Sequence, residues 1–142
     1  MVQQLSVFLE NKPGILRNAA KILANANINM RALSIADTRD FGILRLIVDK
    51  PQEALGAFQK KDIVAKITEV LAVEVADVPG GMERILATIE ELDIDLEYLY
   101  AFLGKKTDDA IIIFNVANPE EAAVKLEQKG VHLVKGNEIC NL

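Results

Sequence analysis

Apolar residues recur along this chain with two periods, and the elements change where the period changes. Leu5, Val7 and Leu9 lie two apart, the spacing of a strand with one buried face. After Pro13-Gly14, the apolar positions Ile15, Leu16, Ala19, Ala20, Ile22, Leu23 and Ala26 recur at three and four, which predicts a helix ending near 25–27. Pro13 suits the start of that helix, where a missing N–H would have had no partner. Runs 28–36 and 41–48, separated by the polar Asp37-Thr38-Arg39-Asp40, predict a β-hairpin. Pro51 opens a second helix that turns Ala54, Leu55 and Phe58 inward, and 63–68 reads as a fourth strand. The order is β-α-β-β-α-β, the split βαβ motif.

The pattern occurs twice. A shift of 66 residues carries Leu5, Val7 and Leu9 onto Leu71, Val73 and Val75, and Ile28, Met30 and Leu33 onto Ile94, Leu96 and Leu99. Farther on the shift becomes 68, so that Pro51 meets Pro119, Glu53-Ala54 meets Glu121-Ala122, and Ile63 meets Val131. The two extra residues fall around Gly104-Lys105-Lys106-Thr107-Asp108-Asp109, a polar turn of the kind that tolerates insertion. In Asn118-Pro119-Glu120-Glu121 the asparagine reads as a helix cap with Glu at the third position. The expected fold is α+β: two tandem ferredoxin-like βαββαβ units, 1–69 and 70–142, each an antiparallel sheet with its helices on one face.

Composition narrows the function. Hydrophobic residues make up 51% and charged residues 26% of 142, enough for folded cores. The net charge of −5, without a basic run, argues against nucleic acid as a partner. No apolar segment reaches the ~20 residues of a membrane span, and residues 1–5 lack a signal-like basic and apolar pattern, so a cytoplasmic protein is expected. A single Cys140 and a single His132 cannot build a four-ligand zinc site or an internal disulfide, and no metal or other cofactor is expected. Cys140 reads as a mobile near-terminal residue and His132 as a surface residue of the last strand.

Candidate chemistry lies where the first strand of each unit turns into its first helix. A strand-loop-helix junction such as Glu10-Asn11-Lys12-Pro13-Gly14-Ile15 points free amides and the positive helix end outward, which suits a carboxylate. Asn29, at the start of strand two in Ile28-Asn29-Met30, is placed to reach the ammonium of a ligand held by that loop. The second unit has Asp77 and Asp95 at these two positions, so the two sites are not expected to be equivalent. Tyr98, Tyr100 and Phe102 alternate along one strand and share a face, where small residues stand in the first unit; they could wall a pocket or pack an interface.

These segments resemble the ACT domain. Its hallmark, a strand, an Asn-x-Pro-Gly-like loop, a helix and a hydrophobic-Asn-hydrophobic strand start, is matched by Leu9-Glu10-Asn11-Lys12-Pro13-Gly14-Ile15-Leu16 with Ile28-Asn29-Met30. Asp77-Val78-Pro79-Gly80-Gly81 with Ile94-Asp95-Leu96 is a looser match. The resemblance covers the chain twice and is closest to small stand-alone proteins made of two ACT domains. It implies a non-catalytic regulatory protein that binds a free amino acid or similar molecule, the site joining the loop of one domain to strand two of its neighbour. The residues implicated are Asn11, Pro13, Gly14, Ile15, Asn29 and Met30, then Asp77, Gly80, Gly81, Met82, Asp95 and Leu96. A regulated enzyme of amino-acid metabolism is the implied partner, and edge strands allow a homodimer. Two other classes stay open: a ligand-free assembly module, and a small enzyme on this fold, for which no Cys-His or Ser-His-Asp set is available.

Overall fold

The computed structural model describes residues 1–37, 40–102 and 109–140, apart from the side chain of Cys140. The expected insertion around 104–108, half of the 37–40 turn and the reading of the Cys140 side chain lie outside the described residues. Two compact units are present: Gln3–Thr68, and Glu69–Leu142 together with Met1–Val2.

In the first unit the elements follow the predicted order: β1 (Val2–Glu10), α1 (Ile15–Asn25), β2 (Met30–Asp37), β3 (Phe41–Val48) and α2 (Pro51–Lys60), leading into β4 (Ala65–Val75). The strands lie in the order β2-β3-β1-β4. β1 pairs antiparallel with β3, with Leu5 opposite Leu46 and Glu10 opposite Phe41, and β2 pairs antiparallel with β3 from Met30 opposite Val48 to Asp37 opposite Gly42. Alternation puts Leu5, Val7 and Leu9 of β1 with Leu44, Leu46 and Val48 of β3 on the helix side. Ala19, Ile22 and Leu23 of α1 and Ala54 and Phe58 of α2 close over them. Each fully buried large side chain contributes about 1.5–3 kcal/mol, so this layer holds the unit together. On the other face of β1, buried Gln4 donates to Ser6 Oγ at 3.2 Å.

The second unit repeats the plan with the later part of β4, then α3 (Gly81–Glu91), β5 (Leu96–Ala101), β6 (Ala110–Val116), α4 (Pro119–Gln128), β7 (Leu133–Val134) and a short α5 (Gly136–Cys140). Leu71, Val73 and Val75 of β4 and Ile112, Phe114 and Val116 of β6 pack beneath Ile85 and Ile89 of α3 and Ala122 and Leu126 of α4. The α+β architecture of antiparallel sheets with helices on one face is as expected.

Four details differ from the sequence reading. The last strand of the first unit and the first strand of the second are a single eleven-residue element, β4, because no turn residue interrupts its apolar alternation. The final strand shrinks to Leu133–Val134; His132 lies just before it, where its carbonyl accepts the Glu74 amide at 3.1 Å. Asn118 does not cap α4 with its side chain. Its ψ of 82° does not bring the amide over the first turn, and its backbone carbonyl accepts the Ala122 amide instead. Strand two begins at Met30 rather than Ile28, because Asn27 takes a left-handed conformation at φ 56° and the Ile28 amide is held by the Leu23 carbonyl.

Candidate functional site

Each strand-to-helix loop turns through a left-handed glycine immediately before its helix, Gly14 at φ 81° and Gly80 at φ 85°. Nothing lies within 4 Å of a Cβ built on Gly14, so that side of the loop is open. Behind it the Ile15 amide donates to the Lys12 carbonyl at 3.3 Å and the Asn18 amide to the Gly14 carbonyl at 3.0 Å. The intervening amides of Leu16 and Arg17 belong to the first turn, which has no carbonyl four residues back within the helix. The Asn11 amide ties the loop to the hairpin end through the Asp40 carbonyl at 3.0 Å. Asn11, Pro13 and Gly14 are exposed, whereas Ile15 is half-buried against the core.

The strand-two half of the site is built differently. Asn29 is exposed, but both of its backbone groups are clamped by Asp49: its amide donates to Asp49 Oδ1 at 3.0 Å, and the Asp49 amide donates back to its carbonyl at 3.2 Å. Lys50 Nζ adds a bond to the Asn27 carbonyl at 3.2 Å. Met30 packs on the core beside this corner. Asp49 was not evident in the sequence reading, because its role depends on a pairing between residues twenty apart.

The second unit keeps the frame and changes the groups. Asp77 and Gly80 are exposed at the loop, and Met82 and Leu96 pack half-buried on the core. Gly81 is buried, and a Cβ there would run into the Ala76 carbonyl, so its place is packing between strand end and helix start. Arg84, which the sequence reading passed over, leans back over the loop with Nη1 3.3 Å from where a Gly80 Cβ would be; the first unit has Asn18 there. At the strand-two corner, the Ala117 amide still donates to the Asp95 carbonyl at 3.1 Å, but Ala117 has no carboxylate to accept the Asp95 amide. Asp93, Asp95, Asn118, Glu121 and Lys125 border a cleft of about 130 Å³ there.

The paired registers correct one expectation. Along β3 the loop of the first unit adjoins residues 40–42, while the strand-two start adjoins 48–49. Eight residues of strand at ~3.3 Å each separate the two by roughly 26 Å. Asn29 therefore cannot reach a ligand held by the loop of its own unit, because β1 and β2 run in the same direction and the loop follows the end of one while Asn29 precedes the start of the other. The two groups of candidate residues in the first unit lie at opposite ends of its sheet.

The aromatic stripe packs. Tyr98 and Tyr100 stack with centroids 6.5 Å apart, Asn115 Nδ2 donates to Tyr98 Oη at 2.6 Å, and Tyr100 and Phe102 are buried. Among the described residues no group of three His, Cys, Asp or Glu could hold a metal ion, and no helix is long and apolar enough to cross a membrane.

Replacing Asp49 with Ala should remove about 1 kcal/mol and speed amide exchange at Asn29, while Asp49→Asn, which keeps an acceptor oxygen, should restore protection. Amide exchange followed by NMR checks this. In the unaltered protein the Asp95 amide should exchange faster than that of Asn29.

The sequence profile of the ACT domain pair family matches residues 1–142. Among solved structures, protein BT0572 from Bacteroides thetaiotaomicron is 33% identical and superposes with a TM-score of 0.91, covering 99% of this chain and 96% of that one. The ligand-free regulatory subunit of aspartate kinase from Thermus thermophilus superposes at 0.64 with 17% identity, over 89% of this chain and 91% of that one, a likeness of fold. The regulatory subunit of aspartate kinase from Thermus flavus gives 0.64 and 15%, over 89% and 88%. No curated protein sequence matches the chain.

Proposed function

Starting from a chain that belongs to the ACT domain pair family over residues 1–142, we propose that it is a non-catalytic regulatory protein that binds a free amino acid or a closely similar small molecule. The observation that carries this reading is the left-handed loop at Gly14, open on its glycine side, beside first-turn amides that have no partner four residues back within the helix. The helix dipole adds only about 0.3–1 kcal/mol at such an end, so affinity has to come from several hydrogen bonds together.

Because Asn29 lies at the far end of its own sheet, the ligand's ammonium is met by the strand-two start of a neighbouring domain. Asn11 and Gly14 supply the loop half, and Asn29 the strand-two half, of the competent type of site, the two halves coming from different domains. Asp77 and Asp95 repel a carboxylate and select a different ligand or none. A chain built as two such domains acts on a separate protein, an enzyme of amino-acid metabolism being the partner of matching chemistry.

The test is a thermal-shift panel of the twenty amino acids, with calorimetry on every hit. One or a few should raise the melting temperature saturably, by about 9 °C at a hundredfold excess over Kd. Asn29→Ala should weaken the hit about tenfold, near 1.4 kcal/mol. A flat panel would count against amino-acid binding and favour an assembly role.

A further inference from the structure

Away from both loops, the first unit carries a groove of about 470 Å³ between α1 and α2. Ile22 and Ala26 on one side and Gly56 and Ala57 on the other make it apolar. Gly56 has open space where a side chain would stand, with no atom within 4 Å of a built Cβ. At the rim are Lys60 and Lys61, both exposed and neither forming an ion pair with any described residue.

The duplication supplies a comparison. At the positions of Gly56 and Ala26 the second unit has Val124 and Leu92. The counterpart of Lys61 is Lys129, whose Nζ is paired with Glu91 Oε1 at 2.9 Å. The first unit has Asn25 where that glutamate would be, so its lysine lacks the same partner. Lysines at a helix C-terminus are ordinary complements to its dipole. Here, though, the bulk that would fill the space and the acid that would neutralise the rim are both missing in one unit and present in the other.

We infer that this groove is a second ligand site, for a small amphipathic carboxylate whose apolar body lies over Gly56 and whose carboxylate meets Lys60 and Lys61. The volume is that of a small-molecule site. Glu53 marks the other end of the groove, seven residues before Lys60 and so about 10 Å along the helix at 1.5 Å per residue. Its charge turns a carboxylate away from that end, fixing the orientation and limiting the apolar body to a chain of modest length. The site is independent of the amino-acid reading, since it shares no residue with the loops.

Octanoate is a suitable probe, titrated into the full chain and followed by amide NMR. Saturable shifts confined to Gly56, Ala57 and the end of α1 are expected. Gly56→Val, which copies the second unit's Val124 and suits a helix better than glycine, should weaken binding at least tenfold with an unchanged fold. The Lys60→Gln, Lys61→Gln pair should do likewise, and octylamine should bind at least tenfold more weakly than octanoate. Shifts scattered over both units, full affinity in Gly56→Val, or equal binding of octylamine would each overturn the proposal.

Discussion

Gly81→Ala is expected to destabilise the second unit by about 3 kcal/mol or more, a large loss for one added methyl group. The new Cβ would meet the Ala76 carbonyl oxygen, with the carbonyl carbon 3.1 Å away and Val75 Cγ1 at 3.7 Å. These are backbone and core atoms, so relief requires the start of α3 to move away from the end of β4 and to loosen Ile85, one turn on. Gly14→Ala is the informative contrast. It has a left-handed φ of 81° but no neighbour within 4 Å, so strain alone acts and the cost is about 1 kcal/mol. Urea unfolding of the two variants beside the unaltered chain measures both. A Gly81→Ala midpoint no lower than that of Gly14→Ala would show that the α3 start yields more easily than its packing implies.

Phe58→Ala should cost about 3–5 kcal/mol. Phe58 is fully buried at the end of α2, where its carbonyl also accepts the Lys61 and Ile63 amides that close the helix. Truncation leaves a ring-sized void beneath α1 and α2 that neighbouring leucines cannot fill without leaving their rotamers. Thermal and urea unfolding should register the loss in the first unit, with a lower midpoint. A Phe58→Leu variant should recover part of it, since most of the lost volume returns.

Much of the fold was legible because its signals are local and repeated. Apolar positions two apart gave the strands, three- and four-residue spacing gave α1 and α3, and Pro51 and Pro119 marked where α2 and α4 start. The duplication made each weak signal count twice. What escaped depended on contacts that no local pattern records. Asp49 looks like an ordinary polar residue before a helix until the sheet register sets it against Asn29. Gly81 looked like a second loop glycine suited to a ligand, yet it is the one pressed against Ala76. Asn11 and Asn29 suggested a shared site by type alone; the parallel course of β1 and β2 separates them by the length of the sheet. The Asn118 cap failed for a subtler reason, since a good capping residue contributes nothing when its backbone angles turn the side chain away.

The shared strand β4 bears on how such a protein can be taken apart. Gln3–Thr68 and Glu69–Leu142 meet inside one hydrogen-bonded strand, so the chain passes from one copy to the next without a linker. A protease that needs a slack, extended stretch finds none at this junction, and an excision at residue 68 would cut through a strand. The last strand of one copy thus runs directly into the first strand of the other. Loops and grooves differ between the copies, as at Asn29 and Asp95, while any separation of the copies has to cut β4.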